Sequence, residues 1–417
     1  MRLEFSYGSG VQAVEVEERR LLGVLRPTPI DVPETEAALL AQALDAPIGA
    51  PRLEELVRPG ETVAIVTSDI TRPFPTARVL PALLARLYRA GVSPEDITLV
   101  FALGSHRGHT EEEMRRLTGT AWGAIRCADS GQDGFVSLGT TRRGTPVEID
   151  RHVAEADRRI CLGNIEYHYF AGYSGGAKAI MPGVSTRAAI QANHSRMTHP
   201  DACVGRLGGN PVREDLEEAA ALVGVDFLLN VVLDEHKRIV QAVAGDVTAA
   251  HRAGCAWLDR HYRAPISELA DIVIASQGGA PKDLNLYQTQ KALDNAKHAV
   301  KPGGVIILAG ACPEGLGENT FQQWMLEARS PQELIRRIQR EFRLGGHKAA
   351  AIALVLERCS IYLVSQMPSE LVRGCFLTPF STIQEAYDAA RTQLGEHATV
   401  LAMPYGGSTL PTLMTSC

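Results

Sequence analysis

Short apolar runs alternate with amphipathic segments along most of this chain, the pattern of an α/β protein. Met1–Tyr7 reads as an opening strand. Pro59-Gly60 precedes a β-rich run, Thr62–Thr67, and the polar loop SDITRPFPT leads to a helix from about Thr76 to Ala90 that stops at Gly91. A second strand, Ile97–Leu103, runs into GSHRGH, after which Thr110 and Glu113 form a capping box for the next helix. A third strand near Arg159–Leu162 passes straight into the glycine-rich segment GNIEYHYFAGYSGGAKAIMPG, residues 163–183. Later, Ile272–Ser276 leads to QGGAPKDLNLYQTQK and a helix through about Ala299, and Val305–Leu308 is another buried strand. Ser330-Pro331-Gln332-Glu333 opens a helix with a cap, a first-position proline and a capping glutamate. Helices near Lys348–Glu357 and Ile383–Leu394, with strands Ile361–Val364 and Thr399–Met403, complete the series.

A chain of 417 residues exceeds one ordinary core, so the expectation is two α/β domains with the active site in the interdomain cleft. HYRAPIS is a polar, proline-containing break. It suggests an N-terminal domain over 1–265, a C-terminal domain over 266–395, and a final segment, 396–417, that packs back on the first domain. With 22% charged and 45% hydrophobic residues, the composition is that of a soluble globular enzyme. The net charge of −6 gives no footprint for nucleic acid, and no basic leader or apolar span points to a membrane. Eight scattered cysteines without a CxxC pair favour reduced thiols, and hence a cytoplasmic protein.

Polar clusters follow four of the expected strands: Asp69/Thr71/Arg72, His106, His168, and Tyr287/Gln288/Lys291. Ligands of open α/β sheets bind at that edge. Arg72 is a permanently charged fork suited to a carboxylate or phosphate. His106 and His109 lie three apart, one readable as a general base and the other as a solvated loop residue. Tyr287 and Gln288 share a helix face with Lys291. In the glycine-rich segment, Ser174, Gly175 and Gly176 lead to Lys178, with His194 further on in QANHS. Gly176-Ala177-Lys178-Ala179 breaks the adjacent Gly-Lys-Ser/Thr order that a Walker A loop needs. The histidines also lack the i, i+4 spacing of a helical zinc site. Each cluster has a plain structural reading as well, as a turn, a satisfied core histidine or an exposed helix start.

Taken together, SDITRP, GSHR, EYHxxAGYSGGAKAIMPG, QANH and LYQTQK resemble, in order and separation, the nickel-dependent lactate racemase family. The resemblance implies a nickel-pincer nucleotide, pyridinium-3-thioamide-5-thiocarboxylic acid mononucleotide, joined through a thioamide to Lys178. It implies Ni2+ held by His194 as the sole protein ligand. The cofactor's two sulfurs and ring carbon would complete a square-planar site, a geometry that Ni(II) favours. It implies His106 and His168 as paired catalytic bases in a proton-coupled hydride transfer that racemises or epimerises a small 2-hydroxy acid. Arg72 and Lys291 match cations near the substrate carboxylate, and Gln288 and Tyr287 match residues lining the pocket or binding cofactor. Asp69 would orient Arg72 or a histidine, while Thr71 and Ser174–Gly176 would contact the nucleotide phosphate. Proteins that make and insert the cofactor are the implied partners. The chain departs from the lactate enzymes where they carry a second-domain tryptophan near the substrate. Here stands GGHKAAAIA, in which His347 or Lys348 would offer a partner to a second polar group.

Two other readings compete. A nicotinamide-dependent dehydrogenase shares the fold and the hydride chemistry, but no strand is followed by GxGxxG with an acidic residue about 20 positions on. A non-catalytic carrier of the cofactor would need Lys178 and His194 but not a pair of bases.

Overall fold

A computed structural model of the chain describes residues 1–26, 30, 32–234 and 236–414. The chain divides into two compact units, one formed by residues 30–260 and the other by residues 1–29 together with 261–417.

The 30–260 unit is built on a six-stranded sheet. Its spatial order is Ile239–Gly245, Phe227–Leu233, Arg158–Asn164, Val63–Ser68, Ile97–Ala102, Arg126–Asp129. All neighbours are parallel except the Ile239–Gly245 edge. Parallel strands are covered on both faces and therefore read as continuous apolar runs. VAIVT of Val63–Ser68 is such a run, and all five of those residues are buried. Leu80, Leu83, Leu84 and Leu87 of the Thr76–Arg89 helix join Ile65, Leu99 and Leu162 of the strands in one core. From Val63–Ser68 the strand order grows to one side through Ile97–Ala102, and from Arg158–Asn164 to the other. The topological switch point, where an open α/β sheet binds its ligand, thus lies between those two central strands.

The second unit has a wholly parallel six-stranded sheet: Thr378–Phe380, Ser360–Val364, Val300–Ala309, Ala270–Ser276, Val400–Met403, Leu21–Val24. Its composition corrects the expected boundaries at both ends of the chain. Residues 1–29 belong here, because the Arg2–Tyr7/Gly10–Glu15 hairpin buries Leu3, Phe5 and Val14 in this unit's core and Leu21–Val24 pairs with Val400–Met403. The described part of 396–417 also stays here. Val400–Met403 pairs with Ala270–Ser276, and Leu410–Leu413 with Arg263–Ile266.

Most expected elements form within a residue or two of their sequence limits, and Thr110 and Glu113 make the capping box. Two differ. The helix expected after LYQTQK is two short pieces, Leu286–Thr289 and Lys291–Ala296, and the Thr289 hydroxyl bonds back to the Asn285 carbonyl at 2.9 Å. At Ser330 the side chain makes no cap, although Glu333 accepts from the Arg329 N–H at 2.9 Å. The seven described cysteines are free thiols, and Cys417 lies outside the described residues. Among the described residues no helix is long and apolar enough to cross a membrane.

Candidate active site

The switch point of the 30–260 unit is lined by loops that the sequence marks on both sides. Asp69 directly follows Val63–Ser68 and is buried, so its carboxylate must be satisfied by protein groups. His106 Nδ1 donates to Asp69 Oδ2 at 2.6 Å, the Thr71 hydroxyl donates to Oδ2 at 2.9 Å, and Arg72 Nε lies 3.9 Å from Oδ1. Burial alone would raise the pKa of Asp69. The bonds from His106 and Thr71 and the charge of Arg72 outweigh it and hold the carboxyl below its ordinary value. A carboxylate can only accept, so His106 carries its proton on Nδ1 and presents Nε2 as the basic nitrogen.

His109, read from the sequence as a rival base or a solvated loop residue, is neither. Its ring is buried, Nδ1 donates to Asp129 at 2.6 Å, and Nε2 accepts from the Ile70 N–H at 2.9 Å. It ties the Asp69 loop to the end of Arg126–Asp129, two strands away in the sheet.

Across the switch point, the glycine-rich segment leaves Arg158–Asn164. Gly175 and Gly176 adopt φ of +73° and +60°, and a β-carbon on Gly176 would lie 2.7 Å from the His251 ring. Asn230 Oδ1 accepts from the Gly176 N–H at 2.8 Å, and His251 Nε2 donates to the Ser174 carbonyl at 2.8 Å. Burial, with the nearby charge of Arg213, pushes the His251 pKa down to about 3, so this imidazole is a neutral strut. The turn ends in Gly176–Ala179, which carries Lys178.

Three residues from this side meet on one ring. Phe170, 3% exposed, has its centroid 4.5 Å from that of His168 and 5.0 Å from that of His194, with Lys178 Nζ 5.9 Å away. His168 Nδ1 accepts from the Ala171 N–H at 3.2 Å, which in the neutral ring places the proton on Nε2. His194 Nδ1 donates to Asn193 Oδ1 at 2.9 Å, leaving Nε2 as its lone-pair nitrogen. Asn193 is held in turn by the Val212 carbonyl at 3.1 Å and the buried Asp215 carboxylate at 2.8 Å, an outer shell of the kind that orients metal-binding histidines. Among the described residues no group of three or more His, Cys, Asp or Glu could hold a metal ion.

The Lys178 backbone bonds to Gly175 and Gly183, while its side-chain amine makes no hydrogen bond or ion pair among the described residues. Burial above all, then the charges of Arg213 and Arg72, drive its pKa well below the ordinary lysine value, against the opposing pull of Glu166. The amine is thereby biased to its uncharged, nucleophilic form. These features suit the implied cofactor: an amine without a side-chain bond for the covalent link and one oriented imidazole for the metal.

The remaining expected residues belong to the other unit. Asn285 caps Leu286–Thr289, Lys291 Nζ donates to Gln288 Oε1 at 2.6 Å, and Tyr287 packs edge-on to Phe321 with centroids 5.6 Å apart. Lys348 lies 3.7 Å from Asp294, and burial lowers its pKa to about 8. Sequence reasoning missed Phe170, Asn193, Arg213, Asp215 and His251. Only Asn193, adjacent to His194 in QANH, carried a local signal.

Two family models divide the chain, one described as the lactate racemase N-terminal domain over residues 7–205 and one as the lactate racemase C-terminal domain over residues 266–410. Among curated proteins, the lactate racemase of Thermoanaerobacterium thermosaccharolyticum is 33% identical over 421 residues, covering 98% of each chain. The lactate racemase of Lactiplantibacillus plantarum is 33% identical over 384 residues, 89% of this chain and 90% of that one. Among solved structures, the apoprotein of the Thermoanaerobacterium enzyme superposes with a TM-score of 0.89 at 32% identity, covering 99% of this chain and 100% of that one. A Thermotoga maritima protein shares the fold at 17% identity, with a TM-score of 0.62 over 88% of this chain and 100% of its own.

Proposed function

This chain belongs to the lactate racemase family and is a racemase, and from that premise we propose that it inverts C2 of a small 2-hydroxy acid by proton-coupled hydride transfer. The observation that carries the reading is the meeting of Lys178, His168 and His194 on the Phe170 ring, in the unit that also holds the Asp69–His106 pair. Lys178 is the covalent anchor of a nickel-pincer nucleotide and His194 the protein ligand to Ni2+. When bound, the cofactor supplies the reversible acceptor for the C2 hydride.

The chain's own residues handle the proton and the orientation. His106 takes the hydroxyl proton on Nε2, and Asp69 stabilises the imidazolium that results. His168, with its neutral-state proton on Nε2, stands in the complementary protonation state. One imidazole accepts while the other donates, as inversion through opposite faces requires. Arg72 holds the substrate carboxylate and Thr71 with Ser174–Gly176 contacts the phosphate, while Lys291, Gln288 and Tyr287 keep the substrate- and cofactor-binding roles that the family resemblance implies for them. The partners of this reading are the 2-hydroxy acid and the proteins that make and insert the cofactor, and its compartment is the cytoplasm.

The test is production together with the cofactor-making enzymes, followed by intact mass, metal analysis and optical rotation on single enantiomers of several 2-hydroxy acids. Lys178 gains the cofactor mass with one nickel. His106→Ala and His168→Ala each lower racemisation by about 10²–10⁴-fold. An unmodified, nickel-free chain under conditions that load a known family member, or full activity in both histidine variants, refutes the reading.

A further inference from the structure

Arg213 is the most deeply buried cation of the 30–260 unit and has no place in the chemistry above. It lies on Pro211–Val223, the helix that packs against the Gly176–Ala179 turn, and its side chain is 0% exposed. Nε donates to the Ala171 carbonyl at 3.0 Å and Nη2 to the Tyr173 carbonyl, so one guanidinium grips both ends of Ala171–Tyr173, upstream of the lysine turn. Nη1 has no partner among the described residues. Burial lowers the Arg213 pKa only to about 10, with Glu217 opposing, so the group keeps its charge at neutral pH. A lone buried cation is costly, and a carboxylate beside Nη1 would relieve it.

We propose that Arg213 is a positioning residue for cofactor attachment: it fixes the backbone that leads into the Lys178 turn and sets an immobile positive charge in the same buried neighbourhood. The proposal rests on the covalent role given to Lys178 above. The attachment needs the nitrogen lone pair. As the amine attacks a thiocarboxylic acid a C–N bond forms, the C–OH bond breaks, and the hydroxyl leaves as water with one amine proton. An ammonium has no lone pair to give.

The charges acting on Lys178 come from Arg213 on its helix, Arg72 in the loop after Val63–Ser68 and Glu166 in the loop after Arg158–Asn164; around it also stand the neutral His251 of Ala249–Tyr262 and the Phe170 ring, against which His168 and His194 pack as well. Glu166 alone favours the ammonium, so the placement of charge around this lysine is lopsided toward the free amine. Arg72 is more than half exposed and solvent weakens its effect, which leaves Arg213 as the fixed charge of the set.

Trace acetylation of the full cofactor-free chain with acetic anhydride from pH 6 to 11, read by peptide mass spectrometry against the exposed Lys237, tests this. In the wild type the Lys178 profile rises at lower pH than that of Lys237. Arg213→Met shifts it to higher pH and cuts Lys178 labelling at pH 7 by about tenfold, the equivalent of one pKa unit. Arg213→Lys, which keeps the charge, stays near the wild-type profile. A purely structural role predicts the same change in both variants. A Lys178 profile that coincides with Lys237, or one unmoved by Arg213→Met, overturns the proposal. If Arg213→Met does not fold, the wild-type profile and Arg213→Lys still decide. The readout needs neither nickel nor turnover. Failure of the racemase reading would appear separately, as no nickel and no racemisation in the loaded protein.

Discussion

Asp69 does three things with one carboxylate, and each follows from its burial. It fixes the His106 tautomer, it stands ready to stabilise the imidazolium, and it takes the Thr71 hydroxyl that would otherwise compete for the ring. Asp69→Asn keeps the shape but removes the charge, and its amide can present an N–H to Nδ1, which turns the proton of His106 to Nε2. Racemisation is expected to fall about 100-fold or more with little change in KM, as steady-state kinetics on either enantiomer will show. The pair was legible as two separate strand-end clusters, because an acid and an imidazole after successive strands are visible in a linear pattern. The bond between them was not, since it depends on which of two nearby histidines turns inward. His109, buried against Asp129, shows that the other one is equally engaged in the loop. Arg213, Asp215 and His251 left no trace in the pattern. A charged residue on an amphipathic helix reads as solvent-facing, whereas the interior of this unit is held by such groups bonded to backbone and to one another.

At the scale of elements, the glycine-rich turn works because its backbone enters space that no side chain could share. Gly176→Ala would set a β-carbon 2.7 Å from the His251 ring at a left-handed φ of +60°. The expected loss is about 1–3 kcal/mol of stability, measurable by chemical denaturation, with a slower gain of cofactor mass at Lys178. Strands and their order of approach to the site were readable from apolar runs alone, since a parallel strand buried on both faces has little other way to be written. The Leu286–Ala296 stretch was less so. Its residues favour a single helix, and the break at Gln290, which ends one piece and starts the next in helical conformation, carries no mark in the composition.

At the scale of the molecule, each unit hides one histidine that burial keeps neutral, His251 in one and His298 in the other, both pushed down to about 3. An unfolded chain binds protons at these rings below about 6.5, while the folded chain does not until near 3. The unfolded state therefore holds more protons across that window, so stability is present above it and is lost as the pH falls through it. Each ring contributes a slope of about 1.4 kcal/mol per pH unit there, and His298→Gln is expected to flatten the acid limb of the unfolding transition by that amount. The sequence reading placed the domain break within a few residues of 260 but gave the first 29 residues to the wrong partner. A four-residue strand such as Leu21–Val24 carries no mark of which sheet it will join. That strand's partner, Val400–Met403, lies at the far end of the chain. On the ribosome, residues 30–260 are a finished, continuous unit long before the other sheet can close. His106, His168, Lys178 and His194 are thus assembled first, and Val400–Met403, the last strand of the second sheet to be synthesised, slots between Ala270–Ser276 and the edge strand Leu21–Val24 that was made at the start.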